Sequence, residues 1–336
     1  MTLSTLPPDF HILALSGGGY RGLYTATVLR ALEQSFGTPI SQKFDLICGT
    51  SVGGVLALGL AAGIKAEELQ NLFVEQGGQI FGKRCFFRKL ATKWAVAKHP
   101  SAGLRRILET KFGDKTVGDL NQRVLIPAVN YSTGKPQIFK TPHAPALESD
   151  YQLSLVDVAL ATSAAPTYFP LHRINDLGVF ADGGLVGNSP GFFGLHEARM
   201  MLGLPRDTVI RDLAIGTMTV GVTARGKTPL DKGILRWGAK IFDLVISAQE
   251  GMTDAMLSHY LGENYLRIDD PATPDQSKDI SLDNYSEAAT NVLKDRGIAA
   301  GRLAIGNPKM AVFRSHMPIA PVFYHGPNKT VKDHLC

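Results

Sequence analysis

Along the first sixty or so residues the spacing of apolar positions changes three times. His11–Ser16 (HILALS) is a short, mostly apolar run of strand length, bounded by Pro8 before it and glycines after it. From Tyr20 to Phe36 the apolar face recurs at Leu23, Ala26, Thr27, Leu29, Leu32 and Phe36, the period of a helix. Gly37 and Pro39 stop that helix. Phe44–Cys48 is a second strand of buried type, and Val52–Ala62 is a helix of small residues ending at Gly63. Strand, helix, strand, helix at this density predicts parallel strands between helical layers, an α/β fold.

The remaining pattern is sparser. Leu104–Phe112 is predicted helical and Val124–Asn130 a strand, with Gln137–Lys140 opening a loop that carries Pro142 and His143. Leu155–Ser163 is predicted as a helix halted by the break at Ala164–Pro166, and Gly178–Ala181 as a strand running into Asp182-Gly183-Gly184. Phe192–Leu202 follows as a helix and Asp212–Thr217 as a strand. After about Gly221 the texture changes to a long helical block over 233–261 and then a proline-punctuated tail. The expected organisation is a catalytic domain over 11–210 and a completing or regulatory region over 211–336 packed on it.

Composition narrows the classes. A chain of 336 residues, 44% apolar, is long enough to bury a large core. Its first residues, MTLSTLPPDF, lack the basic start and apolar centre of a signal peptide. No apolar run approaches the ~20 residues that span a bilayer. Cys48, Cys85 and Cys336 stand far apart without metal-ligand spacing, which suits reduced thiols in a cytoplasmic protein and predicts no metal. The net charge of +5 admits an anionic membrane surface, a phosphorylated ligand or nucleic acid as partner. No basic repeat interleaved with aromatics is present, so no nucleic acid polymer is expected.

Two glycine motifs hold the candidate chemistry. Gly49-Thr50-Ser51-Val52-Gly53 fits G-x-S-x-G between a strand and a helix, the context of a nucleophile elbow, although a turn of small residues would read the same way. The earlier Gly17, Gly19 and Gly22 fit G-x-G-x-x-G, the start of a dinucleotide-binding loop. That reading needs an acidic residue at the end of the second strand, and Asp45 lies at its start instead. With an elbow on the next turn, the loop's N–H groups, Gly18 and Gly19 foremost, can face an oxyanion, and Arg21 can steady the loop or the charge. Asp182, at a strand end before Gly183 and Gly184, is the candidate proton acceptor, against the alternative of an ordinary Asp-Gly turn. His316, His325 and His334 lie in irregular polar stretches and are expected at the surface.

These residues fall in the order of a known family. SGGGYRG (Ser16–Gly22), GTSVG (Gly49–Gly53), SAAPTYFP (Ser163–Pro170) and DGG (Asp182–Gly184) together resemble the patatin-like phospholipases, over roughly residues 11–217. The resemblance implies a patatin-like three-layer fold with a mainly parallel central sheet and a Ser–Asp dyad without histidine or cofactor. Ser51 would be the nucleophile, Asp182 the proton acceptor, and Gly17, Gly18, Gly19 and Arg21 the oxyanion region. Ser16 departs from the acidic residue frequent in plant members, without consequence for the dyad. LIPAVNYSTGKPQIFKTPH (Leu125–His143) and YRGLYTATVL further resemble the bacterial patatin-like effectors of cyclic-oligonucleotide (CBASS) anti-phage defence. That implies membrane phospholipid as substrate and a cyclic dinucleotide as activator; the oligomeric state stays open, a homodimer or higher oligomer being expected if the activator assembles protomers. Lys135, Lys140 and His143 are candidate phosphate contacts, against a plain solvated basic loop.

Two further segments suggest surfaces. Lys83–Lys98 has six basic residues, no acidic one, and an aromatic face suited either to anionic lipid at the inner side of the membrane or to the core. Ile234–Leu261 has an apolar stripe at Trp237, Ile241, Leu244, Val245, Met252, Met256 and Tyr260, expected to pack on the core unless it serves regulation or dimer formation. Two other functions stay open on sequence alone: a carboxylesterase or thioesterase on soluble acyl groups, and a nucleotide-binding module with a vestigial hydrolase site.

Overall fold

The computed structural model describes residues 9–82, 97–220, 240–273 and 276–331, and every structural statement below is made of them. Eight strands form one mixed sheet. They are β1 (Asp9–Leu15), β2 (Leu46–Gly49), β3 (Arg123–Asn130), β4 (Lys135–Lys140), β5 (His172–Ile174), β6 (Gly178–Asp182), β7 (Val209–Ile215) and β8 (Tyr265–Ile268). β3, β2, β1, β7 and β8 lie side by side and parallel, while β4, β5 and β6 add antiparallel pairings.

Strand alternation divides the core in two. Leu13 and Leu15 of β1, with Ile47 and Leu213, face one helical layer; Phe10, Ile12 and Ala14, with Leu46 and Cys48, face the other. The first layer is built from α1 (Gly22–Phe36), α2 (Val52–Ala61), α3 (Ala66–Ile80), α4 (Ala102–Phe112) and α5 (Leu155–Thr162). The second holds α6 (Gly191–His196) and α7 (Lys240–Leu261), and α8 (Glu287–Gly306) returns to the first. Gly37, at φ 69°, ends α1 with its N–H on the Glu33 carbonyl, as the sequence predicts.

Several elements differ from expectation. Lys135–Lys140 is not a loop but a strand, β4, paired along β3 from Leu125 to Asn130. Its alternation is masked because Lys135 and Gln137 share a face with the buried Phe139, while Lys140 shares the other with Ile138. α3 and α8 lie in stretches that the apolar pattern leaves unassigned. The latter sits in the tail beyond 265 and is capped by the Ser286 side chain, which accepts from the Ala289 N–H. Residue 210 lies inside β7, which pairs with β1 along its whole length, and the residues after it supply β8 and α8. His316 is not at the surface. Its ring stacks on His11 at 3.6 Å between centroids and its Nε2 is 2.6 Å from Asp45 Oδ2. Asp45 also accepts the backbone N–H groups of His11 and Ile319, so it pins the tail across the sheet.

The stripe on α7 also reads differently from expectation. Ile241, Leu244, Val245, Met252, Met256 and Tyr260 are exposed, and the helix packs through Phe242, Ile246, Leu257 and Leu261 instead. Trp237 and the rest of 234–239 lie outside the described residues, as do Lys83–Val96 of the basic segment, Cys85, His334 and Cys336.

Candidate active site

Strand register brings Ser51 and Asp182 together. β2 pairs with β3 up to Cys48 and Leu125, so three residues further along Ser51 comes level with Ala128. β6 takes the side of β3 that β2 leaves, and its last residue, Asp182, is the partner of Ala128. Ser51 then turns out of the sheet at φ 53° and ψ −125°, a costly conformation for a residue with a side chain. Two glycines make that turn fit. A Cβ on Gly49 would stand 2.2 Å from the Gly53 carbonyl oxygen, and one on Gly53 would stand 2.2 Å from that of Leu15. The Ser51 N–H donates to Thr162 Oγ1 at 3.0 Å, and the Thr162 hydroxyl in turn donates to the Pro127 carbonyl at 2.6 Å.

The Ser51 hydroxyl donates to Asp182 Oδ2 at 2.7 Å. The other carboxylate oxygen accepts the Gly184 N–H at 2.7 Å. Gly183 allows the tight turn, since a Cβ there would lie 2.2 Å from the Pro127 oxygen. Asp182 is buried, and burial pushes its carboxyl up to about 7, against the pull of the Gly184 N–H and the Ser51 hydroxyl. Burial thus moves it toward neutrality, the range in which a general base works best.

The glycine loop is clamped from below and open above. The Gly17 carbonyl accepts from Asn188 Nδ2 at 3.0 Å and from Thr217 Oγ1 at 3.1 Å, and the Gly17 N–H donates to the Asn188 carbonyl at 3.1 Å. Gly17 thus has no N–H to offer a ligand. The N–H groups of Gly18 and Gly19 have no partner among the described residues, and both glycines line the same cleft as Ser51. Arg21 is buried, with Nε on the Gly18 carbonyl and Nη1 on that of Met218. It holds the loop by its carbonyls. Gly22 brings the first turn of α1 against α2, where a Cβ would lie 2.5 Å from Val52 Cγ2.

The cleft above Ser51 is walled by Val55, Phe73, Phe81, Phe169, Phe242 and Ile246. A second, wholly apolar cavity between α3 and α4 shares Val55, Phe73, Ile80 and Leu104 with it. Such walls suit a hydrocarbon chain, with the polar atoms of Ser51, Asp182, Gly18 and Gly19 gathered at one end.

The three candidate phosphate contacts are separated from this site. Lys135 is exposed on β4. Lys140 and His143 both bond Glu197 beneath the sheet, and His143 is fully buried, so neither belongs to a solvated loop. Sequence reading missed Thr162, Asn188, Thr217 and Glu250. Asn188 follows the DGG turn by four residues and carried the only local hint; Thr162, Thr217 and Glu250 come from other elements and act only once folded. Glu250, on α7, accepts from Asn188 Nδ2 at 2.9 Å and so reaches the glycine loop through one amide.

Residues 13–191 match the family model described as patatin-like phospholipase. A protein of Pseudomonas aeruginosa (strain BWHPSA011 / Pa011), named cGAMP-activated phospholipase, is 60% identical over 330 residues, 98% of this chain and 99% of that protein. A protein of the same name from Vibrio cholerae serotype O1 is 38% identical, covering 87% of this chain and 92% of its own length. Another, from Escherichia coli (strain TW11681), is 37% identical and covers 86% and 88%. With more than half of its length matched by the family model and relatives aligned nearly end to end, the chain belongs to the patatin-like phospholipase family.

Proposed function

We propose that the protein hydrolyses fatty-acyl esters of membrane phospholipids through Ser51 and Asp182, and that a cyclic dinucleotide switches it on. The observation that carries the reaction is the 2.7 Å bond from the Ser51 hydroxyl to Asp182, set at the end of an apolar cleft beside two unpaired amides. Asp182 takes the Ser51 proton as Oγ bonds to the acyl carbon, and the carbonyl oxygen gathers the charge. The Gly18 and Gly19 N–H groups receive that oxyanion. Collapse breaks the ester bond, and the lysolipid oxygen leaves with the proton held by Asp182. Water then gives a proton to Asp182 and attacks the acyl carbon; Ser51 departs with that proton and the fatty acid is released.

The apolar cleft favours lipid over a small soluble ester, and an intact dyad speaks against a vestigial site. The names of the three relatives support activation by cGAMP. Breakdown of the cell's own membrane on such a signal fits an anti-phage effector. No described helix is long and apolar enough to cross a membrane. The chain reaches its substrate peripherally, with the exposed face of α7 beside Phe242 and Ile246 at the cleft. The test is fatty-acid release from phospholipid vesicles with and without cGAMP, for the wild type, Ser51→Ala and Asp182→Asn. Stimulated release by the wild type alone is expected, and undiminished release by either variant would overturn the reading. If activation works through protomer association, specific activity will rise with protein concentration.

A further inference from the structure

A groove on the first helical layer, away from Ser51, has the make-up of an anion site. It is open to solvent, encloses about 630 Å³ and lies where α1, α3 and α8 meet. That is the size of a small-molecule pocket, which ranges over roughly 300–1,000 Å³. Lys294, Ile298 and Arg302 recur every four residues, so α8 presents cation, apolar side chain and cation on one face. A rise of 1.5 Å per residue puts the two cations about 12 Å apart along the helix axis. Among the described residues neither has an ion-pair or hydrogen-bond partner, and Ile298 is exposed between them.

The opposite wall supplies a third cation and neutral donors. Arg30 of α1 bonds Gln70 of α3 at 2.8 Å and Glu67 at 2.7 Å, and its buried Nε is without a partner. Gln34 lies one turn further along α1 on the same groove. The two helices are held close by glycine: a Cβ on Gly297 would lie 2.7 Å from that of Thr27, and one on Gly301 would lie 2.7 Å from that of Ala31. Two unpaired cations, an exposed aliphatic floor and an opposite wall of Gln34 and the Glu67-paired Arg30 fit a ligand with two phosphodiesters and flat apolar faces.

We infer that this α1–α3–α8 groove binds the cyclic dinucleotide, an inference that rests on the activation proposed above. The groove is linked to the glycine loop through both of its helices. α1 starts directly after Arg21. The segment leading into α8 gives its Leu282 carbonyl to the Tyr20 N–H at 2.8 Å, and Thr290 on α8 bonds the Tyr20 hydroxyl at 2.8 Å. A ligand that draws α1 and α8 together therefore acts on the residues flanking Gly18 and Gly19.

The experiment is calorimetric titration of the full chain carrying Ser51→Ala, so that binding is read without turnover. The probes are cGAMP, inorganic phosphate and glycerol phosphate, the last standing for a lipid headgroup. We expect cGAMP to bind well above the other two. Lys294→Glu with Arg302→Glu should weaken it at least ~100-fold, two charged hydrogen bonds being worth ~1.5–3 kcal/mol each. Lys294→Gln alone, a mild surface change, should weaken it ~10-fold, and Lys135→Glu should leave it unaltered. Undiminished cGAMP binding in the double variant, absent binding in the parent, or equal affinity for phosphate would each overturn the assignment. Binding that behaves as expected, beside a wild-type chain that releases no fatty acid with cGAMP present, would sink the hydrolase reading and leave this one standing.

Discussion

Asp182 and Asp212 are both buried carboxyls on the same sheet, and both are pushed far above the ordinary range by burial, to about 7 and about 8 respectively. Their surroundings differ. Asp182 ends β6 at the cleft, with one oxygen on the Ser51 hydroxyl and the other on the Gly184 N–H. Asp212 sits mid-strand in β7 on the α6–α7 side, against Gly191, and neither of its oxygens has a partner among the described residues. Burial alone raises a carboxyl's proton affinity, whatever its use. A hydroxyl within hydrogen-bond reach and an opening for substrate are what distinguish a base from an enclosed acid.

The largest effects should divide along that line. Ser51→Ala and Asp182→Asn should each lower fatty-acid release by at least ~10³-fold, since each removes a group that the reaction uses directly. Asp212→Asn should stay within about threefold of wild type, since its carboxyl reaches neither the cleft nor the dyad. A loss at Asp212 comparable to that at Asp182 would break the comparison.

The dyad should also set the pH profile. Only the carboxylate form of Asp182 can take the Ser51 proton, so the rate should fall on the acid side of about 7, approaching tenfold per pH unit. Asp212→Asn should keep that limb in place. A rate flat from pH 5 to 8 on a water-soluble ester would argue against Asp182 as the base.

The parts of the site made by adjacent residues were legible in the chain, and those made by packing were not. The Ser51 elbow and the Asp182 turn are written as glycine spacings, because a Cβ at Gly49, Gly53 or Gly183 would stand 2.2 Å from a backbone oxygen. The parallel core from β1 to β2 followed from short apolar runs. β4 was lost because an edge strand with polar residues on both faces has little apolar alternation to show. α8 was lost because its packing face is largely alanine and glycine, which carry a weak hydrophobic signal. His316 looked like a surface residue because burial of a polar side chain depends on partners far away in sequence, here Asp45.

Glu250 is the sharpest case of a partner that only folding supplies, and it gives a smaller prediction. Its carboxylate holds the Asn188 amide whose other hydrogen bond holds Gly17. Glu250→Ala leaves that buried amide with one bond fewer, and the loop donors with less support. A drop of about tenfold in kcat with little change in KM is expected on a soluble ester, a loss of about 1.4 kcal/mol in the transition state. Glu250→Gln, which retains an acceptor oxygen, should recover most of it. Equal damage from both variants would show that bulk rather than the hydrogen bond matters at this position.

The last effect is thermodynamic and returns to the two carboxyls. Each holds its proton more tightly folded than unfolded, where an Asp titrates near ~3.9. Below that value both states are protonated and the stability associated with the group is fully present. As pH rises the unfolded chain releases its proton first, so stability is lost progressively until the folded carboxyl also ionises, near 7 for Asp182 and 8 for Asp212. Denaturant unfolding of Asp212→Asn against wild type should therefore show almost no difference at pH 4 and a growing advantage for the variant up to pH 8, level beyond. Asp182→Asn should show the same rise, ending about one pH unit earlier. The two carboxyls then differ in stability only by where the window closes, although in catalysis they differ by orders of magnitude. A difference for Asp212→Asn that is constant over pH 4–8 would mean that the wild-type group is already ionised in the folded protein, and the parallel between the two residues would fail.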